Sequence, residues 1–434
     1  MAGSAASATR WHWPGPAGRV RVLEQAAEFG EVGAGLQIAP NATRILRDWG
    51  LLDDAVAAGV LPRRLVLRDA VDGTELTYLD LADTARRYGA PYVVMHRSDL
   101  HTILLRACRD ARVDLVTGAD VSGVEVCEDA AVAISANRRD CGTLVLAADG
   151  LTSTLRSQLS VDAPVSSNYV AYRGAIPIDE VRDAKGLALD DVVAYIGPRC
   201  HFVQYPLRRG EMFNQVAVFE SPTAVSGETD WGTPDELDAA FASTCEEVRS
   251  ALPFLWRDRC WRMYDREPIE RWVDRRLVLT GDAAHPMLQY LAQGACQALE
   301  DADCLATQVA KHTTTGEIGW DAALRVYNDM RARHTAQVQC TVRSWGDLWH
   351  ADGLLRAVRN ALLRDRDPAD YRFIDWLYAP VKRETGTGRP SQASTVASAP
   401  WPAEWSCGTD TPSRWNVSGR CSPTRTICAT RCMR

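Results

Sequence analysis

The chain has 434 residues, 46% of them hydrophobic and 24% charged, an ordinary soluble composition long enough for a large core or two domains. Its 49 basic and 56 acidic residues leave a net charge of −7, which argues against a nucleic-acid surface but leaves room for a local positive site for a small anion. No apolar run approaches a membrane span, no signal peptide is visible and the 13 cysteines form no paired framework, so a cytoplasmic protein with reduced thiols is expected.

RVRVLEQ (Arg19 to Gln25) reads as a buried strand closed by Glu24. That is the pattern of the second strand of a dinucleotide-binding βαβ unit, whose terminal acid takes a ribose hydroxyl. A first strand, a glycine turn and a helix should come before it. The chain instead offers WHWPG, with no helical face and no G-x-G-x-x-G. Further on, the spacing of Ile45, Leu46 and Trp49 predicts a helix over 40–51, and RLVLRD and ELTYLDL predict strands around an Asp72-Gly73 turn. Ser98 is expected to cap a helix, SDLHTILLRACRD, with Leu100, Ile103, Leu104 and Ala107 on one face. TLVLAADG (Thr143 to Gly150) and RRLVLTGDAAHP read as buried strands running into turns. Between them, 166–267 is strand-rich, and helical patterns dominate from Gly294 to about Leu363. From Thr385 the chain is Ser/Thr/Pro-rich and is expected to be a disordered or non-native tail. Cys428 and Cys432 lack a second pair at ligand spacing, so no metal site is expected.

Two acids end apolar runs, Asp149 before Gly150 and Asp282 after Gly281. In an open α/β sheet ligands bind at the carboxyl ends of parallel strands, where a carboxylate can accept from sugar or ribityl hydroxyls. A turn acid that merely caps a helix fits Asp149 about as well.

GEVGAGLQIAPNATRIL, HRSDLHTILL, LVLAADGLTSTLR and LVLTGDAAHPMLQYLAQGACQALEDA, in this order, resemble the flavin-dependent aromatic hydroxylases. The resemblance runs from about Arg19 to Tyr378. It implies an α/β Rossmann-like FAD-binding domain with an inserted β-sheet substrate domain and a helical C-terminal part, the first βα unit missing or out of frame. The FAD-binding parts are then 1–75 (1–18 aberrant), 96–165 and 268–330. The substrate domain takes 76–95 and 166–267, the helical region 331–384 and the tail 385–434. The implied chemistry uses FAD and NADH or NADPH to put one oxygen atom of O2 on an activated ring. The resemblance assigns Glu24, Gln37, Arg97, Leu100, Asp149, Gly150, Asp282, Pro286, Gly294 and Ala295 to the FAD. The amides and dipole opening the helix at Gly294 suit negative charge on a reduced flavin.

Within the family, HPMLQYLAQG, CHFVQYPLRRGEMFNQVAVF and RSWGDLWHADGLLRAVRNALL are most similar to the 3-hydroxybenzoate 6-hydroxylases. That branch implies a small aromatic acid as substrate, gentisate as product, and His201, Tyr205 and Gln289 as the residues that hold the ring. His201 and Tyr205 are four apart, on one face of a strand. An imidazole near neutrality can take a phenol's proton. The alternatives are a salicylate-type decarboxylating hydroxylase and an inactive remnant that lacks the phosphate loop. Oligomeric state is open, a homodimer included; no nucleic-acid or membrane partner is expected.

The genetic code bears on WHWPG. Read from the third base of each codon, Trp11-His12 must give Ala, His12-Trp13 must give Leu and Trp13-Pro14 must give Ala, the residues of the helix that is absent. Residues 2–10 then permit, without forcing, the glycine fingerprint. We read 1–18 as out of frame relative to an encoded phosphate loop. The chain as written is expected to bind FAD weakly and a frame-corrected version far more tightly; equal dissociation constants in a fluorescence titration overturn this.

Overall fold

The computed structural model describes residues 19–30, 34–181 and 189–380, and the backbone of Ala429–Thr430. The question of 1–18 lies outside these residues. A seven-stranded sheet dominates, in the order 261–265, 165–177, 212–220, 200–207, 192–197, 64–69, 75–80. Neighbours are antiparallel except 192–197 and 64–69, which run parallel. The hairpin of 64–69 and 75–80 joins this sheet as a unit. A boundary between 75 and 76 therefore falls inside it, because each strand of the hairpin supplies the other's ladder hydrogen bonds.

The sheet is buried on both faces. Strand Cys200–Leu207 alternates so that Cys200 and Phe202 enter one core, with Leu237, Phe241 and Val248 of the covering helices. His201, Val203 and Tyr205 face the other way, towards a cavity. Val193 and Tyr195 against Val192 and Ala194 repeat the division one strand over.

Two of the three three-stranded sheets among the described residues frame the site. In one, 21–24 pairs in parallel with 114–116 and, on its other side, with Ala429–Thr430. In the other, 145–147 and 277–279 are parallel, with 273–274 antiparallel at the edge. Ala429–Thr430 also packs against 145–147. Two residues of the tail expected to be disordered or non-native thus supply backbone pairing where 21–24 would otherwise show an open edge.

Helix α1 (Pro40–Asp48) buries Ile45 and Leu46, as its spacing predicts. Helix α2 spans Arg97–Asp110, and its cap differs from the expectation. His96, not Ser98, is the N-cap: its Nδ1 accepts from the Ser98 amide at 3.3 Å, while the Ser98 hydroxyl bonds the same ring nitrogen at 2.7 Å. A ring nitrogen does what a hydroxyl was expected to do, two residues earlier. Helix α3 (Gly294–Lys311) packs on α4 (Trp320–Trp349), which runs unbroken across the boundary expected at 330.

The last long helix, α5 (Gly353–Asp365), is tied to the sheet by one carboxylate. Asp69 is fully buried and accepts from Arg356 Nε at 2.8 Å and Nη2 at 2.6 Å, and from Asn360. Burial pushes its carboxyl up, but these donors hold it below the usual range. Removing one partner of such a pair strands the others. Asp69→Ala is expected to lower unfolding free energy by about 3–5 kcal/mol in a urea titration, with α5 detaching first by hydrogen exchange. A loss under about 1 kcal/mol would show that α5 is held by its apolar face instead.

Candidate active site

The parallel strands 145–147 and 277–279 end together, in register, so Asp149 and Asp282 emerge at the same carboxyl edge. Their environments differ. Asp149 is buried, with Oδ1 accepting from the Ser153 hydroxyl at 2.6 Å and Oδ2 from the Leu155 amide at 3.1 Å. Burial raises its pKa against those bonds. It organises the turn after Gly150 (φ +81°), and neither residue lines the cavity. Asp282 is half-buried on the cavity wall, and no hydrogen bond from the described residues engages its carboxylate.

The turn carrying Asp282 is locked from beneath by Asp301 of α3. The Asp301 carboxylate accepts from the Gly281 amide (2.9 Å), His285 Nε2 (2.7 Å) and Arg331 Nε (2.7 Å). Burial opposes its charge, but His285 and Arg331 hold its pKa well below the usual range. Asp282 is therefore presented on a rigid turn.

The cavity has a volume of about 1030 Å³. Pro286, Gln289, Gly294 and Ala295 line it, as do Gln37 and Arg97 from the opposite side. Gln37 Oε1 accepts from the Tyr92 hydroxyl at 2.7 Å. Gln293, fully buried at the start of α3, accepts from Asn41 at 2.9 Å but leaves its Nε2 without a partner at the wall. Leu100 is turned into the core and does not line this cavity. Glu24 is buried at the end of its strand and accepts from the Ala26 amide at 2.9 Å.

His201 and Tyr205 lie on the cavity side of their strand, where the sequence spacing puts them, and Gln289 comes to the same space from the turn before α3. Gly35 makes the close approach of Tyr205 feasible: a Cβ there would sit 2.5 Å from the Tyr205 hydroxyl. Burial raises the Tyr205 pKa, so the phenol stays protonated at neutral pH. Burial also holds His201 well below its usual value, so its ring is neutral.

Three contributors were not singled out from sequence. Arg173, on strand 165–177, lines the cavity. Its Nη2 donates to Gln289 Oε1 at 3.0 Å and its guanidinium lies 5.4 Å from the Trp261 ring centre, but no carboxylate of the described residues pairs with it. Its Nε has no partner. Burial, and then Arg97, lower its pKa, though an arginine stays charged. His350, at the end of α4, bonds His201 at 2.8 Å. Tyr290 stands edge-on to both imidazoles. A charge inside the apolar strand YVAYRGAIPI was the available signal for Arg173. Local sequence carried none for His350.

A family profile described as FAD binding domain matches residues 17–342. The 3-hydroxybenzoate 6-hydroxylase of Polaromonas naphthalenivorans is 34% identical over 365 residues, covering 83% of this chain and 89% of that protein. 3-Hydroxybenzoate 6-hydroxylase 1 of Aquipseudomonas alcaligenes is 36% identical over 367 residues, covering 82% and 90%. Among solved structures, Klebsiella pneumoniae HpxO complexed with FAD and uric acid superposes with a TM-score of 0.74 at 25% identity, covering 87% of this chain and 94% of that one. The chain belongs to the FAD-dependent aromatic hydroxylases. It is a flavoprotein monooxygenase with FAD as cofactor, and NAD(P)H is the family's co-substrate.

The residues present fit the ring and ribityl end of FAD. Asp282 is an acceptor without a partner, Gln293 Nε2 is a buried donor without one, and the opening of α3 faces the same space. If Asp282 accepts a ribityl hydroxyl, Asp282→Ala removes a charge-assisted bond of roughly 1.5–3 kcal/mol. FAD affinity, read by flavin fluorescence in the frame-corrected chain, is expected to fall about ten- to a hundredfold. Unchanged affinity in a folded variant reduces Asp282 to a turn residue.

Proposed function

We propose that the chain hydroxylates a 3-hydroxybenzoate-like ring para to its hydroxyl, giving 2,5-dihydroxybenzoate. Ring, O2, NAD(P)H and a proton become the dihydroxy acid, water and NAD(P)+. The observation that carries this reading is the meeting, in one cavity, of a neutral imidazole and a guanidinium without a carboxylate partner. A hydroxybenzoate has one group for each. The names of the relatives matched at 34–36% identity point the same way.

The roles follow from chemistry. Arg173 offers its free N–H donors to the substrate carboxylate, and Trp261 beneath it restricts the guanidinium plane. Gln289, held by Arg173, turns its amide towards the bound acid. Tyr205, kept protonated, donates a hydrogen bond and carries no competing charge. His201, kept neutral, presents a lone pair to the phenolic hydroxyl. As the phenol's proton leaves, the ring carbon para to it becomes electron-rich. FAD, when bound, supplies the reducing equivalents taken from NAD(P)H and the activated oxygen. The apolar wall of Val192, Ala194, Val203 and Val216 excludes water from that exchange.

The test follows NADH loss, peroxide and hydroxylated product together in the frame-corrected chain, with 3-hydroxybenzoate and with 2-hydroxybenzoate. The expected product is 2,5-dihydroxybenzoate from the former. His201→Ala is expected to keep substrate-stimulated NADH consumption but release more hydrogen peroxide per product. Undiminished rate and coupling in that variant remove His201 from the reaction. Turnover of 2-hydroxybenzoate alone, with carbon dioxide released, replaces the proposal with decarboxylating hydroxylation.

A further inference from the structure

His201 is 1% exposed and faces the cavity. A proton delivered to its ring has no water to reach. Its Nδ1 lies 2.8 Å from Nε2 of His350, so Nε2 of His201 is the nitrogen left for the cavity. His350 does not line the cavity; it caps the end of α4 and keeps 8% of its surface exposed. The two rings are nearly parallel, 21° apart. Tyr169 stacks on His350 from outside at 4.4 Å, and Tyr290 stands edge-on to both. The Arg199 amide donates to the His350 carbonyl at 3.0 Å and fixes the backbone beneath the ring.

We infer that His350 is a positioning residue that makes His201 one half of a two-imidazole proton relay, leading from the substrate's hydroxyl to the protein surface. The inference rests on the hydroxyaromatic reading of the cavity.

At rest each ring carries one proton, both on Nδ1. The Nδ1–H of His201 donates to Nε2 of His350, and Nε2 of His201 offers its lone pair to the phenol. When the phenol's O–H bond breaks, its proton joins Nε2 of His201. The Nδ1 proton of His201 passes to Nε2 of His350, and the Nδ1 proton of His350 leaves to water. The ligand ends as phenolate, His201 as a neutral ring donating Nε2–H to it, and one proton appears in bulk. No oxidant or reductant takes part.

The surroundings favour passage over storage. Arg359, from α5, disfavours a cation on His350, while the negative charges of Glu220 and Asp347 act on Tyr169, the ring stacked against it. Arg359 Nη1 donates to the Trp349 carbonyl at 2.6 Å, beside the ring. Burial, and then Arg359, lower the His350 pKa to about 3. Neither imidazole holds a second proton at neutral pH. An isolated buried imidazole would therefore be a poor base, and coupling to a second ring with an outlet removes that defect.

The test uses the full chain with added FAD, and 3-hydroxybenzoate and 3-methoxybenzoate as probes. The methoxy compound fits the same shape but has no proton to give. Phenolate absorbance and proton release to an indicator dye are followed by stopped flow. The unaltered chain is expected to release about one proton per 3-hydroxybenzoate bound, together with the phenolate signal, and none with 3-methoxybenzoate. In His350→Gln the amide oxygen can still accept the Nδ1 proton of His201 but cannot pass one on. Phenolate formation and proton release should slow by about tenfold or more, equivalent to about 1.4 kcal/mol, while 3-methoxybenzoate affinity changes less than about threefold. Unchanged rates in His350→Gln overturn the relay. Equal weakening of both ligands also overturns it, since His350 would then be packing alone. Failure of the unaltered chain to bind 3-hydroxybenzoate brings down the substrate reading and the relay with it; binding with normal ionisation in both proteins brings down only the relay.

Discussion

Everything in the site depends on a sheet buried on both sides. Strand Cys200–Leu207 has a hydrophobic core against one face and a cavity against the other, so its period-two alternation assigns every residue to one or the other. A slip of one residue would send His201 and Tyr205 into the helix-covered core and put Cys200 and Phe202 in their place. The pairings His201 with Val218 and Ile196, and Tyr205 with Asn214, fix that register from both sides. Asn214 then accepts from the Gly35 amide at 2.8 Å, which brings the framework containing Gln37 up to the sheet.

The polar groups in and around this cavity are of two kinds. Some are satisfied by the protein and shape it: Asp149 in its turn, Asp301 under the Asp282 loop, Asp69 holding α5. Others are left with capacity: Arg173 Nε, Gln293 Nε2 and the Asp282 carboxylate. Buried polar groups are ordinarily paired, so those left over mark where a ligand completes the structure. The two acids that look alike in sequence, each at a strand end beside glycine, fall on opposite sides of this division.

The same carboxyl edge shows what the alternating framework lacks by itself. Strand 21–24 needs a backbone partner on each side, and Ala429–Thr430 supplies one of them in parallel. Backbone pairing asks only for N–H and C=O groups at the right spacing, so a strand slot is indifferent to which part of the chain fills it. Binding a pyrophosphate is more demanding, because it needs glycines in a tight turn leading to a helix N-terminus.

Much of this was legible in the chain. The strand ending in Glu24, the α1 stripe, the strand-to-turn acids and the one-face spacing of His201 and Tyr205 are local patterns with fixed periods, and local periods survive folding. The family motifs pointed to the turn carrying Asp282 and to Gln289, and both line the cavity. What local pattern could not give was pairing across long separations. Ser98 looked like a cap because capping statistics favour hydroxyls, yet His96, two residues earlier, holds the cap position. Arg173 was visible only as a charge in an apolar strand; that it meets Gln289, 116 residues away, is decided by the sheet. His350 meets His201 across 149 residues because α4 ends where strand 200–207 begins. Sequence by itself determined which side chains a strand or helix shows on each face; only the tertiary structure decided which of them are satisfied by one another and which are left for a ligand, because that depends on contacts no local period encodes.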